Sequence, residues 1–235
     1  MSEKRVVAII VEGPTDEIAL GGVLKEYFSS EKVKFAVVHG DITSDYNTSL
    51  DEKSPNYVMK RIVRIIDDLR GKYGYHWGDF LQVIHIADTD GAFTKASIQE
   101  ADVKGIRYYE DRIETKNVAS VEKRNAHKAT ILFKLYSTGS VHDVPYRLYF
   151  NSCNLEHVLY KRLENFTDEE KEDLADEFAD QYEGNLEGFL KFISDKSVAV
   201  PGTYKATWRF IEKNHHSLQR HTNMHLIFQD NKELS

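Results

Sequence analysis

The segment Val6–Val11 is an unbroken apolar run, mostly β-branched, and Glu12-Gly13-Pro14-Thr15 stops it abruptly. A strand that is apolar at every position has no face to offer water, so it must lie inside a sheet covered on both sides. Two more largely apolar segments read as strands, Lys34–Val38 and Phe80–Ala87. Helical patterns separate them. Asp16–Phe28 places Ile18, Val23, Leu24, Tyr27 and Phe28 as apolar positions, with Ala19, Gly21 and Gly22 allowing close approach to a sheet. In Asn56–Tyr73, preceded by Pro55, the residues Val58, Met59, Ile62, Val63, Ile66 and Leu69 recur at i, i+3, i+4 spacing. Strand and helix in alternation predict an α/β, Rossmann-like fold with a mainly parallel central sheet, right-handed crossovers and flanking helices.

Further along, Ile106–Ile113 reads as a strand or hairpin arm and Val118–Tyr136 as a helix. Tyr146–Phe150 reads as another strand, followed by a helix over Leu155–Leu163. From Thr167, which forms a capping box with Glu170, the pattern is helical, with Thr203–Asn214 a further helix. The expected organisation is an α/β domain over 1–163 and a helical C-terminal extension, 164–235, packed on it.

Composition narrows the class. The 235 residues carry a net charge of −7 and a single cysteine, Cys153, which excludes a disulfide framework and a cysteine-based zinc site. A reducing, cytoplasmic setting is expected. The opening MSEKRVVAIIVEG does not read as a signal peptide, and no run reaches the roughly 20 apolar residues of a membrane span. The acidity is local. Residues 164–187 hold eleven Asp and Glu against Lys171 alone, so the rest of the chain sums to +3. Residues 92–134 hold nine Lys and Arg against six acids, which leaves a polyanionic partner compatible with the chain. The acidic block itself reads as a solvated helix face.

Ligands of parallel α/β sheets bind at the carboxyl ends of the strands, and two strands here end in acids. The first gives Glu12, with Asp16 one helical turn on; the third gives Asp88 and Asp90, with Gly91 permitting a sharp bend. Four carboxylates at one sheet edge repel each other without a cation, and hard oxygen ligands suit Mg²⁺ or Mn²⁺. The competing reading of Glu12 and Asp16 is that they only favour the dipole of the first helix.

Val-Glu-Gly-Pro-Thr-Asp over 11–16, with Asp88-Thr-Asp-Gly 76 residues beyond Glu12, resembles the two motifs of the Toprim domain. The resemblance covers roughly residues 5–160. It implies a Toprim fold, with Glu12 in acid/base chemistry or metal binding and Asp88 and Asp90 holding Mg²⁺. Tyr149-Phe-Asn-Ser-Cys-Asn-Leu-Glu156, a strand, turn and helix start, resembles the corresponding glutamate of small stand-alone Toprim proteins of the RloB and OLD-like kind, which are linked to phage defence. The tail around Arg220–Phe228 is similar to the ending of such proteins.

The expectation is therefore a Mg²⁺- or Mn²⁺-dependent endonuclease of DNA or RNA. Its catalytic residues are Glu12, Asp88 and Glu156, its metal ligands Glu12, Asp16, Asp88 and Asp90, and its phosphate contacts Lys123, Arg124 and Lys128. The expected partners are a nucleic-acid substrate, an ABC-type or OLD-like ATPase implied by the resemblance, and a second copy of the chain. A RecR-like binding module is the alternative. A haloacid-dehalogenase-type phosphatase would use Asp88 as nucleophile, with Asp41 and Asp45 as its acidic motif, but in permuted order. Cys153 beside His157, and a zinc site from His215, His216, His221 and His225 with the last two on one helix face, are weaker chemistries. The chain has no Gly-x-x-x-x-Gly-Lys loop for ATP.

Overall fold

The computed structural model describes residues 5–28, 34–39, 42–43 and 55–234. In chain order the elements are β1 (Val6–Val11), α1 (Pro14–Phe28), β2 (Lys34–His39), α2 (Pro55–Tyr73), β3 (Phe80–Asp88), β4 (Ser97–Glu100), β5 (Ile106–Tyr108), β6 (Arg112–Thr115), α3 (Val118–Tyr136), β7 (Ser140–Val141) and β8 (Val144–Asn151). Five helices follow: α4 (Leu155–Tyr160), α5 (Asp168–Tyr182), α6 (Leu186–Ile193), α7 (Tyr204–Ile211) and α8 (His225–Asp230).

The central sheet has the order β2-β1-β3-β8-β7. β1 runs parallel to β2 and β3, and β3 parallel to β8. Only the short β7 is antiparallel, turning into β8 through His142 and Asp143, both at positive φ. The mixed α/β class and the parallel core are as the apolar runs require. Every residue of β1 is buried, as its uniform hydrophobicity demands.

Two cores flank the sheet, and side-chain alternation sorts residues between them. Val7, Ile9 and Val11 of β1, Ile84 and Ile86 of β3 and Tyr149 of β8 pack under α1, α4, α5, α6 and α8. Val6, Ala8 and Ile10, with Val83 and Ala87 of β3 and Leu148 and Phe150 of β8, pack under α2, α3 and α7. The connection β1–β2 thus runs over one face and β2–β3 over the other. The strand order reverses between β1 and β3, and a crevice opens there beyond their carboxyl ends.

Residues 106–115 form a hairpin rather than one strand. β5 and β6 pair antiparallel, and β4 joins β6 in parallel to make a separate three-stranded sheet. Its core is small: Ala96, Ile113, Val121, Cys153 and Leu218. α4 is shorter than its apolar pattern suggested, because Lys161 enters the left-handed region at φ 60° and ends it.

The segment after residue 164 has no core of its own. Phe178, Phe189 and Phe228 enter the first core, and Trp208 the second. Thr222 bridges Asn151 and Ala199, and Asn223 Oδ1 accepts from the Phe150 N–H at 2.8 Å. Among the described residues no helix is long and apolar enough to cross a membrane.

Candidate functional site

The carboxyl ends of β1, β3 and β8 open into one cleft of about 920 Å³. Glu12, Asp16, Asp88, Asp90 and Glu156 all line it, so the five carboxylates singled out in the sequence are brought together. β8 lies parallel beside β3 with Asp88 opposite Asn151, which carries the following turn and Glu156 to the same edge as Glu12 and Asp88.

The Asp88-Thr-Asp-Gly turn is held by backbone geometry. The Asp90 N–H donates to the Cys153 carbonyl at 2.7 Å, and the Thr89 N–H to the Asn151 carbonyl at 2.9 Å. Thr89 Oγ1 donates to the Ser217 carbonyl and accepts from the Cys153 N–H, each at 2.9 Å. The left-handed residue in the turn is Asp90, at φ 48°. Gly91 serves a different need, close packing: a Cβ there would lie 2.3 Å from Asn125 Nδ2 and 2.7 Å from Ile113 Cδ1.

Each carboxylate has its own partners. Asp16 turns back on its own chain, its Oδ2 accepting from the backbone N–H groups of Glu12 and Gly13 at 3.1 Å. That is the capping role of an acid in the first helical turn, performed at the wall of the cleft. Glu12 Oε1 accepts from Thr43 Oγ1 at 2.8 Å, a residue just beyond β2. Asp88 accepts from Asn151 Nδ2 at 3.2 Å. Asp90 Oδ2 lies 2.5 Å from Lys128 Nζ, which is also 3.7 Å from Glu12. Glu156 Oε1 is 2.6 Å from Lys171 Nζ.

Burial and crowding raise two of these acids, Asp88 and Asp16. Burial, then Glu12, Asp16 and Glu156, push the Asp88 carboxyl well above the usual range, against the pull of Lys128. Burial and then Glu156 push Asp16 up to about 6 although its two backbone hydrogen bonds oppose the shift. Lys128 is pushed upward: Asp90 and Glu12 overcome the burial that alone would discharge it. Burial, and then the charge of Lys128, holds His85 down at about 3, so that imidazole is neutral. Lys171 is likewise raised, burial being outweighed by Glu156, Asp88 and Asp16.

The three basic residues named from sequence separate. Lys128 is 1% exposed and ion-paired within the carboxylate cluster. Arg124, one turn earlier on α3, lines the cleft and donates to the Tyr108 hydroxyl, which in turn donates to Asp90 Oδ1 at 3.4 Å. Lys123 is exposed on the outer side of α3 and is not part of the cleft wall. Lys171 and Thr43 are additions that sequence reasoning missed. Lys171 is the lone base in the acidic block, a signal that it points a different way from its neighbours.

Cys153 is fully buried at φ 59°, and burial with Asp90 and Asp88 pushes its thiol well up, so it is no nucleophile. His221 and His225 do not share a helix face, because α8 begins only at His225 and residue 222 is in a β-bridge. His216 and His221 instead pack on Phe210, at 3.9 and 4.9 Å between ring centres. Asp41 and Asp45 lie outside the described residues.

Among the described residues, no group of three or more His, Cys, Asp or Glu side chains is already drawn together as a metal ion requires. The cationic positions among the five carboxylates belong to Lys128 and Lys171. No family model, no curated protein and no solved structure matches this chain.

Proposed function

We propose that this chain is a divalent-metal-dependent nuclease of the Toprim kind, hydrolysing phosphodiesters of DNA or RNA in the cleft beyond β1, β3 and β8. The observation that carries the reading is the set of five carboxylates at the reversal point of a parallel sheet. Two ammonium groups leave that set with excess negative charge, and burial with the neighbouring carboxylates pushes Asp88 well above the usual carboxylate range.

The donor chemistry fits a hard cation. All five donors are carboxylate oxygens, the type that selects Mg²⁺ or Mn²⁺ over softer metals. Glu12, Asp88 and Asp90 would hold the ion, which when bound lowers the pKa of water and neutralises a leaving oxygen. The protein's own groups do the rest. Thr43 orients Glu12, the carboxylate suited to take a proton from an attacking water. Lys128 compensates Asp90 and Glu12, so the acidic edge survives in a buried setting. Arg124 and Lys104, on the rim, are placed for phosphate oxygens. A phage-defence role beside an ABC-type or OLD-like ATPase belongs to the same proposal and rests on the resemblance of residues 149–156 and of the tail 220–228; assembly with a second copy is proposed with it.

The test is cleavage of single- and double-stranded DNA, tRNA and total RNA with Mg²⁺ or Mn²⁺, with and without a neighbouring ATPase. Glu12→Gln abolishes cleavage and leaves the fold intact; equal activity of that variant and the wild type refutes the assignment. One observation favours a second reading. Lys128 and Lys171 already engage Asp90 and Glu156, so part of the acidic edge is compensated within the chain, which suits a RecR-like module that binds without cutting. Nucleic-acid binding that persists in EDTA, with no cleavage in any metal, selects that alternative.

A further inference from the structure

A second cavity, of about 590 Å³, lies at the other end of the sheet. Its walls are Gln82 near the start of β3, Tyr146 near the start of β8, Tyr136 at the end of α3, and Tyr204, Lys205 and Arg209 of α7. Gln82 and Asp88 stand six residues apart on one strand, so about 20 Å of β3 separates this cavity from the carboxylate cleft. The two sites have opposite character: one is walled by acids, the other by tyrosines and cations.

Charge in the second cavity is unbalanced in a particular way. The carboxylates nearest its walls are already engaged. Glu212 accepts from the Tyr136 hydroxyl at 2.7 Å, and Asp230 pairs with Arg147, the third cation of the lining. Lys205 and Arg209 are both exposed and, among the described residues, neither has a carboxylate partner. They stand four apart on α7, where like charges face each other at a small cost in helix stability. An anion seated between them removes that cost.

The wall behind the cations is aromatic and fixed. Tyr136 stacks on the buried Trp208 at 4.6 Å and 14°. Tyr146 is 1% exposed, its hydroxyl tied to His85 Nδ1 at 2.8 Å. The Tyr204 hydroxyl donates to the Leu148 carbonyl at 2.8 Å. Tyr146 is thus buried floor, while the half-buried Tyr136 and Tyr204 keep part of their ring surface at the cavity, with the Arg147 guanidinium 5.2 Å from the Tyr204 ring centre. Rings anchored in this way need no ordering when a ligand arrives. A volume of this size suits a small molecule. Paired Lys and Arg recognise phosphate, and aromatic walls recognise a planar base.

We infer that this cavity is a binding site for a nucleoside monophosphate, its phosphate held by Lys205 and Arg209 and its base against the Tyr136 and Tyr204 rings. The site is independent of the proposed nuclease centre and stands if that reading fails.

The experiment is isothermal titration of the full chain, in EDTA, with each of the four ribonucleoside monophosphates, with inorganic phosphate and with the free nucleosides. EDTA keeps metal-bridged phosphate out of the acidic cleft. At least one monophosphate binds more tightly than both phosphate and its own nucleoside. The double variant with Lys205→Ala and Arg209→Ala, two exposed positions, loses at least about tenfold in affinity with unchanged melting. Three results overturn the inference: no monophosphate binding below about 1 mM, equal affinity of the double variant and the wild type, or inorganic phosphate binding as tightly as the best nucleotide.

Discussion

Lys128 is the residue on which the acidic edge depends. Its ammonium is 1% exposed and compensates Asp90 and Glu12. Removing one partner of a buried ion pair strands the others, at about 3 kcal/mol or more. Lys128→Met is therefore expected to lower the unfolding free energy by that order, with Mg²⁺ restoring part of the loss. A loss unaffected by Mg²⁺ would show that the stranded carboxylates do not attract a cation. Gly91 makes a sharper structural statement. Gly91→Ala pushes a methyl group into Asn125 and Ile113 and is expected to cost about 1–3 kcal/mol by urea unfolding, despite being a change to a better-behaved residue.

Protonation at single residues sets the pH response. Asp16 and Asp88 have folded-state values above their unfolded ones, so the native state binds the extra proton and these groups favour folding as the pH drops. His85, held at about 3, and His157 and His221, both lowered to about 4, act the other way: the unfolded chain takes up protons near 6.5, and stability is lost below that. The two sets oppose each other in a plain melting curve. The increment in Tm on adding Mg²⁺ separates them, because the histidines titrate with and without the ion. That increment is expected to shrink as the pH falls through about 6, where Asp16 gains its proton.

At the scale of elements, much of the site was legible in the sequence. A run such as Val6–Val11 admits one environment, and the break after it fixes where Glu12 stands. The same logic located Asp88 at the end of β3, and the register of β8 against β3 brings in Glu156. What stayed hidden is what depends on tertiary partners. Ile106–Tyr108 and Arg112–Thr115 are too short and mixed for periodicity to reveal a hairpin, still less a third strand beside it. Nothing local predicts that residues 221–223, after two histidine-rich turns, bridge the end of β8. Lys171 needed the packing of α5 on α1 before its direction could be seen. That helix gives its own test. Lys171 competes for Glu156 and is about one-third exposed, so Lys171→Met is expected to tighten Mg²⁺ binding by about threefold or more. Weaker binding in that variant would mean that Lys171 organises the site rather than competing within it.

For the whole molecule, the boundary near residue 163 marks a change of sequence pattern and not a division of the core. Phe178, Phe189, Phe228 and Trp208 complete the two layers that cover the sheet. A chain ending at Leu163 would bare both faces, and it is expected to lose cooperative thermal unfolding. The arrangement also separates chemistry by end: acids beyond the carboxyl termini of β1, β3 and β8, tyrosines and cations at the opposite edge. The first of these, the five-carboxylate cleft, is the proposed seat of a divalent cation. Titration calorimetry with Mn²⁺ and Mg²⁺ at pH 7.5, on the wild type and on Asp88→Asn, measures that binding. Saturable binding to the wild type and at least about tenfold weaker binding to Asp88→Asn are expected. No binding to the wild type, or equal affinity for the two proteins, would rule out a cation held by Asp88.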